Sequence, residues 1–199
     1  TGDCRISGTC ASLAGLEKAV IEEGAQEVTL AIRRILLIHG IILTVGGIPL
    51  LYLGDEIATL NDYAYRDDPA KSHDSRWVHR PRADWEQYEK RNQPKTIEGR
   101  VFQGLQALIK LRKSQAPFAN GQLEIIDTGN EHVLGYIRTY AGKHAIVFAN
   151  FSEAEQTIPI RVLTQHNCYN QDHWYGISRL TSHKELTLAP LDLVVLGNA

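Results

Sequence analysis

The sequence predicts an α/β segment followed by an all-β domain. The first observation is an apolar run from Gly47 to Glu56 that enters on Gly-Ile-Pro and leaves on Gly-Asp-Glu, which is typical of a buried parallel strand. The second is a long helical pattern on each side of that run. The third is a change of hydrophobic period to two from Gly121 onward, where short β-rich runs are separated by turn residues.

Three helices are predicted in the first half of the chain. A short amphipathic helix covers Ser12 to Glu23, and a longer one runs from Gln26 to Thr44 with charges only near its start, as expected of a helix packed on a sheet. Thr96 is a suitable N-cap for the third helix, which extends to about Ser114. Its cations, Arg112 among them, lie on the polar face and gather toward the C-terminus, where they favour the helix dipole.

A long polar and aromatic loop follows the predicted strand, from Ile57 to about Asn92. A connection of this length in a compact domain is usually functional, because loops that leave strand ends converge on ligands. The acid pair Asp55 and Glu56 at the strand end has two interpretations. Hydrogen-bond anchors for the loop are favoured over members of a catalytic site.

Six strands are predicted after Gly121, at a spacing of roughly ten residues that indicates an antiparallel sandwich or sheet. They cover residues 123–126, 132–138, 144–149, 157–160, 186–188 and 191–196.

Composition excludes several classes of function. The chain has 199 residues, is 43% hydrophobic and carries a net charge of −2, which argues against a basic nucleic-acid surface and against disorder. The apolar stretch from Ile35 to Leu51 contains His39, several glycines and a proline, so a buried helix and strand are predicted rather than a membrane span. Cys4, Cys10 and Cys168 lack zinc-type spacing and are interpreted as reduced thiols, with a Cys4–Cys10 bridge as the minor alternative.

One feature of the α/β segment is its incompleteness. A parallel strand needs neighbours on both edges, and a complete eight-fold barrel needs roughly 250 residues on its own. The chain also contains no methionine. We therefore expect it to be the C-terminal part of a larger enzyme.

Several blocks of the sequence resemble the α-amylase superfamily, glycoside hydrolase family thirteen, and within it the amylosucrase group. The run from Gly47 to Ile57 is similar to the eighth-strand signature of that superfamily, whose barrel ends there and is followed by an antiparallel β domain. The blocks that resemble amylosucrases are Gly2–Thr9, Leu60–Asp62, Asp74–Trp77 with His79–Pro81, and Gly135–Arg138 with Ala149–Ser152.

This resemblance implies a specific division of the chain. Residues 1–23 would end a helical subdomain inserted after the seventh barrel strand. Residues 24–116 would be the last section of a (β/α)8 TIM barrel, with residues 57–92 as an active-site loop. Residues 117–199 would form a C-terminal antiparallel β-sandwich domain.

The activity implied by the resemblance is a sucrose-active transglucosidase that passes glucosyl units to an α-1,4-glucan and releases fructose. Retaining chemistry needs two carboxyl groups about 5–5.5 Å apart, and the family's nucleophilic Asp, acid/base Glu and supporting Asp all fall upstream of Thr1. The chain alone would then be inactive and contain no catalytic residue. The alternatives are a sucrose hydrolase or another α-glucosidase of the superfamily, and a non-catalytic amylase-like or carbohydrate-binding subunit.

Four residues are the candidates for substrate binding. The resemblance places Arg76 where the family has an arginine that pairs with an upstream Asp and closes the pocket, and Arg5 near the fructosyl and acceptor subsites. Asp62 and Asp74 are candidates to orient Arg76 or to reach sugar hydroxyls. The alternatives are a loop anchor for Arg76 and a solvent-facing side chain for Arg5.

No cofactor is expected, because glucosyl transfer between oxygens needs neither redox nor metal chemistry, and no pair of histidines has metal-ligand spacing. The expected partners are sucrose, α-glucan and the remainder of the barrel, with neither nucleic acid nor membrane. The expected location is the cytoplasm, with secretion as an alternative.

Overall fold

The computed structural model of the chain describes residues 6–166, 172–181 and 185–197. The chain divides into two compact units. The first, here called the loop unit, contains Thr1–Ile35 and Leu51–Gly104, and the second, here called the sheet unit, contains Leu36–Leu50 and Leu105–Ala199.

The loop unit is built from short helices and turns. The helix predicted over Ser12 to Glu23 is wrong as a single element, because the structure forms α1 and α2 there and separates them at Gly15. Gly15 has a φ of 90°, a left-handed conformation that ends a right-handed helix. The helices that begin in this unit are α1 (Cys10–Leu13), α2 (Leu16–Glu22), α3 (Ala25–Thr44), α4 (Trp85–Glu89) and α5 (Ile97–Ser114).

The two long helices were predicted correctly. Helix α3 begins one residue earlier than expected and ends at Thr44. Helix α5 begins after Thr96, whose side-chain oxygen accepts a hydrogen bond from the backbone N–H of Gly99 at 3.0 Å. This is the N-cap that the sequence predicts, and it satisfies one of the unpaired N–H groups in the first turn.

The sheet unit contains two antiparallel sheets. One has five strands in the order β1-β2-β3-β8-β5, and the other has three in the order β4-β7-β6. All six predicted strands are present, whereas β5, β6 and two short helices were missed. The strands are β1 (Gln122–Ile126), β2 (Val133–Tyr140), β3 (Lys143–Asn150), β4 (Gln156–Pro159), β5 (Asp172–Tyr175), β6 (Ser178–Thr181), β7 (Glu185–Leu188) and β8 (Leu193–Gly197), and the helices are α6 (Ala116–Asn120) and α7 (Arg161–Gln165).

The two sheets share one apolar core. It consists of buried side chains from both sheets and from α7, and it supplies most of the driving force for folding of this unit through removal of apolar surface from water. Its members are Ile126, Val133, Ile137, Ile146, Phe148, Ile158, Val162, Leu163, Leu186, Leu188, Val194 and Leu196.

A buried hydrogen-bonded pair links α3 to β2. The hydroxyl groups of Thr44 and Tyr136 lie 2.6 Å apart, and the Thr44 hydroxyl also donates to the carbonyl of Gly40 at 2.6 Å. Burial raises the pKa of Tyr136 to about 12. The neutral phenol is therefore the form that the folded sheet unit stabilises.

We expect the free energy of unfolding to fall between pH 10 and pH 12. Unfolded Tyr136 ionises near its ordinary pKa of 10.0, whereas the folded chain keeps the proton up to about 12, so stability present below pH 10 is lost as the pH rises. The part of the loss due to Tyr136 should be roughly 2 kcal/mol by pH 12, measured by urea unfolding at each pH. Tyr136→Phe should remove the pH dependence that comes from Tyr136. The pH dependence that comes from Tyr175 should remain, because burial raises the pKa of Tyr175 to about 12 as well. The exposed Tyr140 is the control: a slope that also disappears in Tyr140→Phe contradicts the assignment.

Arg112, predicted on the polar face of α5, caps the end of α3. One terminal nitrogen donates to the carbonyls of Leu43 at 2.6 Å and Phe118 at 3.0 Å, and the other donates to the carbonyl of Gly47 at 2.8 Å. Carbonyls at a helix C-terminus lack intrahelical partners, and a guanidinium satisfies several of them at once.

Arg138 of β2 is buried and also donates to backbone carbonyls near the end of α3. It donates from Nε to the carbonyl of Pro117 at 3.2 Å and from Nη1 to the carbonyl of Val45 at 2.9 Å. Burial, and then the neighbouring charge of Arg112, lower the pKa of Arg138. Backbone carbonyl dipoles, rather than a carboxylate, therefore receive the charge-assisted hydrogen bonds of both arginines.

We expect Arg138→Lys to lower the free energy of unfolding by about 1–2 kcal/mol, because a single ammonium group cannot reach both carbonyls that the planar fork holds. Urea unfolding measures the change. The matched control is Arg161→Lys, at an exposed position at the start of α7, where no change is expected. Equal stability of Arg138→Lys and the parent chain would contradict the capping role.

The buried parallel strand predicted between Gly47 and Glu56 is not formed within this chain. Residues 47–53 form no strand, and the exposed fractions of Ile48, Leu50 and Leu53 are 99%, 79% and 73%. An extended run becomes a strand only where a neighbour completes its hydrogen-bond ladder, and among the described residues none pairs with it.

No helix in the described part of the chain has the length and apolar character needed to cross a membrane.

Candidate functional site

Asn61 fastens the start of the long loop to the N-terminal helices. Its side-chain oxygen accepts from the backbone N–H of Thr9 at 2.8 Å, and its own backbone N–H donates to the Ser12 hydroxyl at 2.9 Å. Its amide nitrogen donates to Glu17 at 3.1 Å, and the Tyr63 hydroxyl donates to the same carboxylate at 3.3 Å. One side chain thus fixes the loop relative to two helices, a role that was not predicted.

The acid pair that precedes the loop has the anchoring role favoured from the sequence. Glu56 accepts from the backbone N–H of Gly54 at 2.7 Å and from the hydroxyl of Tyr88 at 3.1 Å. Asp55 accepts from the backbone N–H of Tyr52 at 3.3 Å. Both carboxylates therefore hold the turn at the start of the loop, and Glu56 also joins it to α4.

Arg76 and Asp74 form a two-pronged ion pair inside the loop. Nε of Arg76 donates to both carboxylate oxygens of Asp74, at 2.9 and 3.1 Å, and Nη2 donates to one of them at 2.8 Å. The backbone N–H of Arg76 adds a bond of 3.0 Å. The hydrogen bonds from Arg76 lower the pKa of Asp74 to about 2, so the pair stays charged at neutral pH.

This pairing places two of the four predicted site residues in direct contact. The resemblance implies an Asp upstream of this chain as the partner of Arg76. In the structure the guanidinium forms its ion pair with Asp74 instead. Asp74 therefore contacts Arg76, and the roles of both residues toward a sugar stay predictions. Arg76 is exposed, and its Nη1 group makes none of the hydrogen bonds to Asp74.

Asp62 and Arg5 are not part of this pair. The backbone N–H of Asp62 donates to the carbonyl of Val78 at 2.8 Å, and its carboxylate accepts from the backbone N–H of Ala64 at 2.9 Å. Asp62 lines an open cleft of about 350 Å³ whose lining includes neither Asp74 nor Arg76. Arg5 lies outside the described residues.

Two clefts border the second half of the loop. The larger one is also lined by Trp77, and a smaller one of about 180 Å³ is lined by His79 and Tyr88 among others. Arg80, Pro81 and Arg82 line both. Neither arginine was among the predicted site residues.

Metal and thiol chemistry have little support in the described part of the chain. No group of three His, Cys, Asp or Glu side chains in it is placed to hold a metal ion. Cys10 is a free thiol, and burial, followed by the charge of Asp55, raises its pKa to about 11. A thiol with so high a pKa is a poor nucleophile at neutral pH.

The fold matches parts of several solved structures. The catalytic module of the multi-modular glycogen-degrading pneumococcal virulence factor SpuA, in complex with an inhibitor, is 19% identical with a TM-score of 0.72, over 97% of this chain and 35% of that chain. Amy13B of Eubacterium rectale is 19% identical with a TM-score of 0.63, over 97% and 37%. A debranching enzyme from Nostoc punctiforme is 17% identical with a TM-score of 0.59, over 96% and 40%.

These matches establish the fold of the chain. This chain, with its helices followed by antiparallel sheets, shares the fold of a part of each of these three structures. It spans well under half the length of each of the three. No family profile matches the chain.

Proposed function

We propose that the chain is the C-terminal part of an amylosucrase-type enzyme, which transfers glucosyl units from sucrose to an α-1,4-glucan with retention and releases fructose. The observation that carries the proposal is the fold match over 97% of the chain to the catalytic module of a glycogen-degrading protein. The choice of sucrose as the substrate rests on the sequence blocks that resemble amylosucrases. The proposal places the enzyme in the cytoplasm, with secretion as the alternative.

The exposed run Ile48–Leu53 supports a barrel-end position for this segment. Side chains as apolar as Ile48 and Leu50 are stabilised by burial, and a closed barrel would bury them in its interior or under its outer helices, while strands on both edges would pair the backbone. The proposal supplies those strands from the remainder of the barrel. The loop that follows then extends from the carboxyl end of a strand, where barrel enzymes place their substrates.

In this proposal the chain contributes binding groups rather than the reacting carboxylates. Arg76, held by Asp74, would close the glucosyl pocket, Asp62 would reach sugar hydroxyls, and Arg5 would act near the acceptor. The catalytic Asp and Glu residues would be supplied by upstream strands. Precise placement of such binding groups contributes to catalysis because it fixes the geometry of the reacting atoms.

The test is the action of the intact protein on sucrose, with fructose and glucose measured separately and glucan detected by iodine staining. Fructose in excess of glucose, with iodine-stained product, is the expected result. Equal amounts of the two sugars would favour the sucrose hydrolase instead. Untouched sucrose would contradict both and leave a non-catalytic glucan-binding subunit, which glycogen binding without turnover would identify.

The 199-residue chain on its own is expected to release no fructose, because the nucleophile and the acid/base are proposed to lie upstream. The assay uses the purified chain free of any companion polypeptide. Detectable fructose release would contradict the proposed division of the active site.

A further inference from the structure

The segment His79–Arg82, here called the HRPR strip, has hydrogen-bonding capacity that the described residues do not use. The guanidinium of Arg82 makes no hydrogen bond or ion pair with any described residue. Nδ1 of His79, which lines the smaller cleft and not the larger one, is buried and has no hydrogen-bond partner among them. Unpaired buried polar atoms are uncommon in folded proteins and call for an explanation at each position where they occur.

The other arginine of the strip, Arg80, contacts an aromatic ring. Arg80 lies over the ring of Trp77, 5.7 Å from its centroid, and the ammonium group of Lys71 lies 5.2 Å from the same centroid. Cation–π contacts of this kind orient a cation without neutralising it. Trp77 therefore holds Arg80 with its positive charge available to a ligand.

The charges that line the larger cleft leave one positive charge in excess. Three cations, Lys71, Arg80 and Arg82, face two carboxylates, Asp62 and Asp68. Lys71 and Asp68 form an ion pair of 2.9 Å and neutralise each other. Within the lining, Asp62 is then the carboxylate that opposes the two arginines, and it accepts a backbone hydrogen bond from Ala64. Outside the lining, the charge of Arg80 also acts on the carboxylate of Asp74, which is already paired with Arg76.

Two arginines on a cleft of about 350 Å³ suit a small ligand with a phosphate group. Each guanidinium is a planar fork that binds phosphate oxygens in pairs. The carboxylate of Asp62 disfavours a ligand that is anionic throughout and favours one with hydroxyl donors beside the phosphate. We propose that the larger cleft binds a sugar phosphate, with its phosphate monoester on Arg80 and Arg82.

This inference goes beyond the proposed function, since a neutral disaccharide needs no anion site. It also favours a small ligand over a polyanion. A nucleic-acid backbone requires an extended basic surface, whereas the chain has a net charge of −2 and the cleft one excess positive charge.

The experiment is calorimetric titration of the intact protein with glucose 6-phosphate, inorganic phosphate and glucose at matched ionic strength. Glucose 6-phosphate is expected to bind more tightly than inorganic phosphate and at least about tenfold more tightly than glucose, because charge-assisted hydrogen bonds to phosphate are the strong ones. Arg82→Gln should weaken glucose 6-phosphate binding about tenfold. The double variant Arg80→Gln, Arg82→Gln should abolish it.

The matched control is Arg66→Gln, which removes the same charge from an exposed position of the same loop, where the guanidinium lies over the Tyr63 ring. It should bind glucose 6-phosphate like the parent protein, and circular dichroism verifies that all variants are folded. If Arg66→Gln and Arg82→Gln weaken glucose 6-phosphate binding equally, general charge attraction explains the binding and the proposed site is wrong. Inorganic phosphate binding as tightly as glucose 6-phosphate would overturn the sugar part of the proposal. None of these outcomes depends on sucrose turnover, so this site and the proposed function fail separately.

Discussion

Gly99→Ala is expected to lower the free energy of unfolding by about 3 kcal/mol, although alanine is normally the better helix former by about 1 kcal/mol. A Cβ atom at this position of α5 would lie 1.9 Å from the carbonyl oxygen of Gln93 and 3.1 Å from the Thr96 hydroxyl oxygen. The first contact is with backbone, which cannot rotate away. Urea unfolding of the variant and the parent measures the difference.

The clash falls on the turn that ends the long loop. Thr96 accepts from the N–H of Gly99 and donates to the carbonyl of Gln93 at 2.9 Å, so the cap and the turn are one unit. The matched control is Gly24→Ala, just before α3, where the nearest atom to a new Cβ is a flexible Glu27 oxygen at 3.5 Å. A change within about 0.5 kcal/mol is expected there. An unchanged urea midpoint for Gly99→Ala would show that the turn moves aside at little cost.

The sheets and long helices could be predicted because their signals are local. Short runs rich in apolar and β-branched residues between turn residues identify strands, whether half-buried or, as in β3 and β8, almost wholly buried. Strands β5 and β6 have four residues each, as β4 and β7 do, but their sequences Asp-His-Trp-Tyr and Ser-Arg-Leu-Thr contain no apolar run that marks a strand. The run Ile48–Leu53 was predicted as a strand and forms none within this chain. Apolar composition does not say whether a partner strand is present.

The long-range contacts of the candidate site could not be predicted. Asn61 and the Thr9 amide that it accepts from are 52 residues apart, and Arg112 reaches carbonyls as far as 69 residues away. Periodicity placed Arg112 on a polar face, and nothing in the local sequence indicates that a helix end lies opposite. The Asp74 and Arg76 pair was predictable because the two residues are separated by a single position.

Arg76→Ala in the intact protein is expected to lower kcat/KM for sucrose about a hundredfold, the loss that follows when a group that positions the substrate is removed. Its urea midpoint should stay the same, because an exposed ion pair contributes little to stability. Arg76→Lys should recover only part of the activity, since lysine cannot form the two-pronged contact with Asp74. Arg66→Ala, at an exposed position of the same loop, should retain parent activity.

The comparison of activity and stability separates the two interpretations of Arg76. Loss of activity at constant stability assigns the guanidinium to the substrate, because the loop would then be intact without it. Loss of both would make it a loop anchor that acts through Asp74, and Asp74→Asn should then reproduce the stability loss. Protonation of Asp74 cannot imitate either result in a neutral assay, since its pKa of about 2 keeps the carboxylate charged. Unchanged kinetics in Arg76→Ala would remove this residue from the proposed glucosyl pocket.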